Sequence, residues 1–352
     1  MTFMIRQLLE KSYEHRSKVF FTFVDLKKAY DSVSRTALWK ALRKLGIPES
    51  IINIIRSFHE NMKAQIRTNG KLLKEIAVDN GLRQGCSMAP TLFNLYACLV
   101  VERWKERIEG MEGIGIVLKY KLDEKLFRRY TQNASQTQLT EGQFADDAAL
   151  LATTQRGAKI AMTEFASAAN NFGLDVSFPK TKVMAAGREV TEEDQEPLRV
   201  GSETIESVKE FPYLGSVVAA SGRVDADVDR RIAQASRALK QAVFKDHNLT
   251  TQTKRAVYQS CVLSVLLYGS ECWIPLRKHL QKLDAFHHRC IRVTLGITRK
   301  QQWSQHLTSR ALRERWGDQE PVSIKVTKRR LEWLGHLARM PDYRIPKRSL
   351  FG

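Results

Sequence analysis

The chain has 352 residues, 43% of them hydrophobic, and carries 57 Lys and Arg against 38 Asp and Glu, a formal net charge of +19. That length and apolar content suit a folded chain with more than one core, and the charge favours a polyanionic partner. Five cysteines (Cys86, Cys98, Cys261, Cys272, Cys290) without paired spacing argue against a disulfide framework or closed zinc site, the opening segment has no secretory h-region, and the apolar run near Cys261–Tyr268 is too short to cross a bilayer.

In chain order, MTFMIRQLLEKSYEHR reads as a charged amphipathic helix, roughly 3–16, followed by a strand over 18–25. Ser32 or Ser34 can cap the next helix, which carries Leu38, Leu42 and Leu45 and stops at Gly46; a short helix over 49–60 follows. QIRTNGKLLKEI reads as a hairpin turning at Asn69-Gly70. A long helix from about Pro90 to Glu109 keeps Leu92, Leu95, Leu99 and Trp104 on one face. The segment 110–142 is polar and partly irregular. A helix over 155–172, ended by Gly173, then leads to strands carrying Lys180–Met184 and to hairpins over 198–219. Strands and helices alternate without a GxGxxG or a P-loop lysine, which predicts an α+β domain with an antiparallel sheet backed by helices.

Beyond Ser221-Gly222 the strand signals vanish. Val224, Val228, Ile232, Ala235, Leu239 and Ala242 repeat at helical spacing, with Arg230, Arg231, Arg237 and Lys240 on other faces. Further helices are predicted at about 250–267, 277–295, 303–316 and 322–339. Residues 219–352 hold 26 Lys and Arg against 11 Asp and Glu, so the helical part carries most of the positive charge and residues 1–218 are nearly balanced. Cys272 and Cys290, near His287, His288 and His306, lack knuckle spacing and read as helix-packing thiols.

Three carboxylates say most about chemistry. Asp25 ends the run VFFTFVD, and Asp146-Asp147 stand in GQFADDAALLA, each beside an apolar, β-rich stretch where strand register can fix a side chain in space. Two strands carrying such acids side by side could hold two divalent cations about 3.5–4 Å apart, as in-line phosphoryl transfer requires.

Between and after these acids come NGLRQGCSMAPTLFNLYACLVVERW, GLDVSFPKTKVM and EFPYLGSVV. Five blocks in this order resemble the palm of a non-LTR (LINE-type) retrotransposon reverse transcriptase. The resemblance implies a right-hand polymerase fold: partial fingers and palm over 1–218, a helical thumb over 219–300 and a basic helical linker region over 301–352. It implies that Asp25, Asp146 and Asp147 bind two Mg²⁺ ions, with Mn²⁺ as a substitute, and that the Leu26 carbonyl is an extra ligand. Tyr30 is implied as the steric gate against a ribose 2′-hydroxyl, with Arg83, Gln84 and Gly85 approaching the nucleotide and template. Phe144 and Ala145 complete the nucleotide site, Phe144 supporting the acid pair from below. Lys180 or Lys182 is implied as the proton donor to pyrophosphate, and Tyr213, Leu214 and Gly215 as the primer grip. Arg230, Arg231, Arg237 and Lys240 are expected to contact nucleic acid. The expected activity is RNA-directed DNA polymerisation on an RNA template with a DNA primer and deoxynucleoside triphosphates, in a soluble nuclear or cytoplasmic protein. By the same resemblance the chain opens past most of the fingers, with no recognisable endonuclease or RNase H segment. That implies an N-terminally truncated copy, and a nucleic-acid-binding remnant without chemistry is the alternative.

Overall fold

The computed structural model describes residues 1–120, 135–240, 242–244, 246, 248–317 and 320–352. These form two compact units: Met1 with Ser12–Lys119 and Gln136–Lys209, and Thr2–Lys11 with Tyr120, Ser135 and Glu210–Gly352. Of the predicted irregular stretch over 110–142, residues 121–134 lie outside the described ones, and Ile116–Tyr120 and Ser135–Leu139 are strands.

The first unit is built on β1 (Lys18–Val24), whose residues after Lys18 are all buried because both its faces are covered. Helix α1 (Thr2–Glu14) stands at the head of the chain, and β1 is followed by α2 (Arg35–Lys44) and α3 (Glu49–Ser57). Of the two candidate caps, Ser34 caps α2, its hydroxyl accepting from Ala37 N. Asn69 and Gly70 both have positive φ (47° and 78°) and turn the short hairpin in which Arg67 pairs with Leu72. Then come α4 (Ala89–Ile108), β2 (Glu141–Phe144), β3 (Asp147–Ala152), α5 (Gln155–Asn171), β4 (Lys182–Gly187), β5 (Leu198–Val200) and β6 (Glu203–Ser207).

The sheet order is β5-β6-β4-β1-β3-β2. β1 is central and antiparallel to both neighbours, pairing Phe21 with Met184 on one side and with Leu151 on the other. The sheet is mixed rather than wholly antiparallel: β4 and β6 run parallel through Lys182 with Glu206 and Val183 with Ser207. The long connection through β5 lets β6 re-enter in the direction of β4. Helices α4 and α5 back the sheet and are locked together by buried polar groups, Trp104 Nε1 donating to Ala161 O (2.9 Å) and Tyr96 Oη to Phe172 O (2.5 Å).

The second unit opens its described C-terminal part with the hairpin β7 (Glu210–Tyr213) and β8 (Ser216–Ala219), and beyond it no described residue is in a strand. Its core gathers Val224 and, from α6 (Asp225–Leu239), Val228, Ala235 and Leu239 with Tyr258, Trp273 and Trp316. The Ala242 side chain lies outside the described residues. The predicted helix over 250–267 contains a wider π turn at Tyr258–Leu263. Helix α7 (Arg277–Leu295) follows, and the predicted 303–316 helix is two, α8 (Arg299–Ser304) and Ser309–Trp316. Among the described residues no helix is long and apolar enough to cross a membrane.

Candidate active site

Strand register brings two of the three acids together. Val24 pairs with Ala148, so the next position along the antiparallel ladder sets Asp25 opposite Asp147, at the edge where both strands end. Asp147 in turn pairs with Phe144 across the β2–β3 turn, which Ala145 closes with φ 53°. Burial, followed by the charges of Asp146 and Asp25, raises the Asp147 carboxyl above its ordinary range. Three carboxyl groups therefore share one electrostatic neighbourhood.

The backbone around Asp25 is held from the other side. Its N–H donates to Thr181 Oγ1 (3.3 Å) and its carbonyl accepts from Ser177 N (2.8 Å), while Lys27 N donates to Asp175 O (2.8 Å). Leu26 and Val176 face each other in an isolated antiparallel bridge. Because the bonds of that bridge come from the flanking residues, the Leu26 carbonyl is not used in it. Lys180 Nζ stands 3.7 Å from Asp25 Oδ2, whereas Lys182 is tied to Glu206 Oε2 (2.7 Å) and Pro179 O (2.9 Å). The two lysines, equivalent in the sequence, thus have different neighbours.

Tyr30 stacks on Phe93 with ring centroids 4.8 Å apart, and burial together with the Asp146 charge raises its phenol above the ordinary range. Its carbonyl accepts from Leu82 N (2.8 Å), and Gln84 Nε2 donates to Asp31 Oδ1 (3.3 Å). The loop with exposed Arg83, Gln84 and Gly85 therefore runs alongside Tyr30. Gly81 permits this approach: its φ is +80°, and a Cβ there would meet Asp31 Cα at 2.7 Å. Asp31 and Thr181 were not singled out by the sequence, although the AYD triplet and the KTK block each contained one polar residue facing the site.

Among the described residues no group of three or more His, Cys, Asp or Glu side chains is arranged to hold a metal ion. The chemistry of the donors nevertheless fits a hard divalent cation. All three acids offer oxygen, Asp25 Oδ2 is buried without a hydrogen-bond donor, and Asp147 is crowded by like charge that a cation would relieve. Cys272 and Cys290, by contrast, have thiols pushed up to about 12, chiefly by burial.

Phe144, paired with Asp147 across the β2–β3 turn, is 60% exposed on the hairpin. One expectation needs correcting. Arg231 is not a surface cation: it is 5% exposed, donates to Gly215 O, lies 3.8 Å from Asp227 Oδ1 and sits over the Tyr268 ring. The α6 surface keeps exposed Arg237 and Lys240 and half-buried Arg230.

The Tyr213–Gly215 segment belongs to the second unit, where it forms the tight turn of the β7–β8 hairpin. Leu214 and Gly215 take φ 47° and 81°, and Tyr213 is buried. Beneath the hairpin, Asp227 accepts from Val217 N (3.0 Å), Arg6 (2.8 Å) and Trp273 Nε1 (2.8 Å).

Residues 2–218 match the family described as Reverse transcriptase (RNA-dependent DNA polymerase). A transposon-derived protein of Caenorhabditis elegans is 29% identical over 211 residues, 58% of this chain and 74% of its own length. The retrovirus-related Pol polyprotein from the type-2 retrotransposable element R2DM of Drosophila melanogaster is 24% identical over 245 residues, which is 68% of this chain but 21% of that polyprotein. Among solved structures, apo telomerase from Candida tropicalis superposes with a TM-score of 0.41 at 13% identity, covering 99% of this chain and 55% of that one.

Proposed function

Since the chain belongs to the reverse transcriptase (RNA-dependent DNA polymerase) family, we propose that it is an RNA-directed DNA polymerase of a non-LTR retrotransposon, extending a DNA primer along an RNA template with deoxynucleoside triphosphates. The observation that carries this reading is the placement of Asp25 across from Asp147 at the paired ends of β1 and β3, with the Asp146 charge beside them.

Asp25, Asp146 and Asp147 are the residues that would hold Mg²⁺, with the Leu26 carbonyl as a further oxygen donor. Bound there, such ions would lower the barrier by activating the primer 3′-hydroxyl and neutralising the charge that develops on the leaving pyrophosphate. Tyr30, stacked against Phe93 and so fixed in orientation, would lie under the sugar of the incoming nucleotide and exclude a 2′-hydroxyl. Gln84, held to Asp31, would orient the nucleotide against its template, with Arg83 and Gly85 beside it. Lys180, next to Asp25, is the better placed of the two lysines to donate a proton to pyrophosphate, Lys182 being occupied by Glu206. The Tyr213–Gly215 turn would steer the primer end, and exposed Arg237 and Lys240 would contact phosphates. An intracellular site of action fits such substrates.

Primer extension on a primed RNA template with Mg²⁺ tests the proposal, with Asp146→Asn alongside. Extension by the wild type only, with duplex binding equal in both, supports it. Binding without extension by the wild type would leave a nucleic-acid-binding protein and refute the polymerase reading.

A further inference from the structure

Trp303 is 87% exposed. Leaving an indole in water forgoes the burial of a side chain of some 150–250 Å². Trp303 is anchored. The Thr298 hydroxyl accepts from Gln301 N (3.2 Å) while Gln301 Oε1 accepts from Thr298 N (2.8 Å), a reciprocal cap that starts α8 firmly. Gln302 then ties α8 to its surroundings, donating to Leu307 O (3.0 Å) and accepting from Arg292 (3.1 Å). With Gln302 turned inward, its neighbour Trp303 is presented outward.

The charged residues on α8, and the one bonded to it from α7, are of one sign. Arg299 lies one turn before Trp303 on the same face of α8, and Arg292 reaches α8 from α7. Arg289, one turn before Arg292, is exposed, stacked over Phe286 and bonded to the Ser236 hydroxyl (3.1 Å). Burial first, and then the cations of Arg299 and Arg289, make Arg292 harder to keep charged. Among the described residues none of the three arginines is paired with a carboxylate, and α8, with the sequence RKQQWS, contains no acid at all. An ordinary solvated helix face intersperses signs; this one concentrates positive charge beside a bare aromatic ring.

We propose that Trp303 with Arg289, Arg292 and Arg299 forms a binding surface for single-stranded nucleic acid, the indole stacking on an unpaired base and the guanidinium groups holding the phosphates on either side. An exposed indole matches a base only where the base face is free, so a paired duplex does not satisfy it, whereas the arginines supply the charge complementarity that any strand needs. The surface lies wholly within the second unit and does not depend on the acids of the first.

The test is fluorescence anisotropy of the full chain with three labelled probes, a uridine RNA oligomer, a thymidine DNA oligomer and a blunt DNA duplex, across a range of salt. Trp303→Ala is expected to weaken single-strand binding by roughly 10-fold and to leave duplex binding nearly unchanged, while Trp303→Phe retains most of the affinity. Arg292→Gln with Arg299→Gln is expected to lower the slope of log K against log salt by about one to two. Loss on both single strands assigns the base face as the shared determinant, and loss on RNA alone assigns RNA as the occupant; either supports the surface. Wild-type affinity of Trp303→Ala for both single strands, or equal loss on strands and duplex, overturns it. A wild type that fails to extend primers would sink the polymerase reading and leave this measurement intact.

Discussion

Tyr268 fastens the β7–β8 turn to Arg231. Its hydroxyl donates to Leu214 O (3.1 Å) while its ring carries the Arg231 guanidinium 4.4 Å from the centroid, and Arg231 itself donates to Gly215 O. Two successive carbonyls of a turn with positive φ are thus held by one aromatic–cation pair. Tyr268→Phe removes one partly exposed hydrogen bond and should cost about 0.5–1 kcal/mol of stability. If the turn steers a primer, the same variant should raise KM for primed template a few-fold with kcat unchanged, as steady-state extension kinetics would reveal; an unchanged KM would limit Tyr268 to a structural part.

Asp227 is fully buried and accepts from Arg6, Trp273 and the backbone of Val217. Asp227→Ala leaves the buried Arg6 guanidinium without its counter-charge, at a cost of about 3–5 kcal/mol. Urea titration followed by circular dichroism should show the midpoint falling accordingly, and a fall below about 1 kcal/mol would mean that Arg6 finds another acceptor.

Asp147 gives stability a pH dependence of definite sign. Its carboxyl is raised in the folded protein by burial and by Asp146 and Asp25, so the unfolded chain releases that proton first as pH rises. The advantage of the protonated folded form is therefore lost across a window that starts at the ordinary aspartate value and ends at the raised one. Above that window Asp147→Asn should melt at a higher temperature than the wild type, and on the proposed function it should not extend primers. Mg²⁺ should raise the melting temperature of the wild type and not of the variant, and chelation should reverse the effect.

Lys180 and Lys182 should separate cleanly. Lys180→Ala is expected to lower the single-turnover extension rate by roughly 100-fold with nucleotide affinity little changed, the scale on which a general acid acts. Lys182→Ala breaks an ion pair with the exposed Glu206 and should cost less than about 1 kcal/mol and little activity. A larger rate loss in Lys182→Ala than in Lys180→Ala would reverse the assignment.

The elements set by local chemistry were legible in the sequence: the buried run Val19–Val24, the Asn69-Gly70 turn and the hydrophobic stripe of α6. What stayed hidden depends on partners far along the chain. Arg231 falls three residues after Val228 and four before Ala235, within the buried stripe, but only the pairing with Asp227 and Tyr268 shows that a guanidinium can be accommodated there. The parallel entry of β6 beside β4 follows from a connection whose route no single segment dictates. Lys180 and Lys182 look alike until β4 begins at Lys182 and commits that side chain to the neighbouring strand.

Asp25 stands just beyond the last paired residue of a strand that both neighbours hold in place, and Asp147 opens one of those neighbours. The carboxylate positions are in this way inherited from the sheet, while the sheet owes the acids almost nothing: Asp146 is exposed, and Asp147 in its ionised form works against folding. Mutational drift could therefore remove these carboxylates from a descendant of this chain without leaving a trace in its architecture, so on the proposed function a lineage of such proteins would be expected to contain well-folded members that copy nothing.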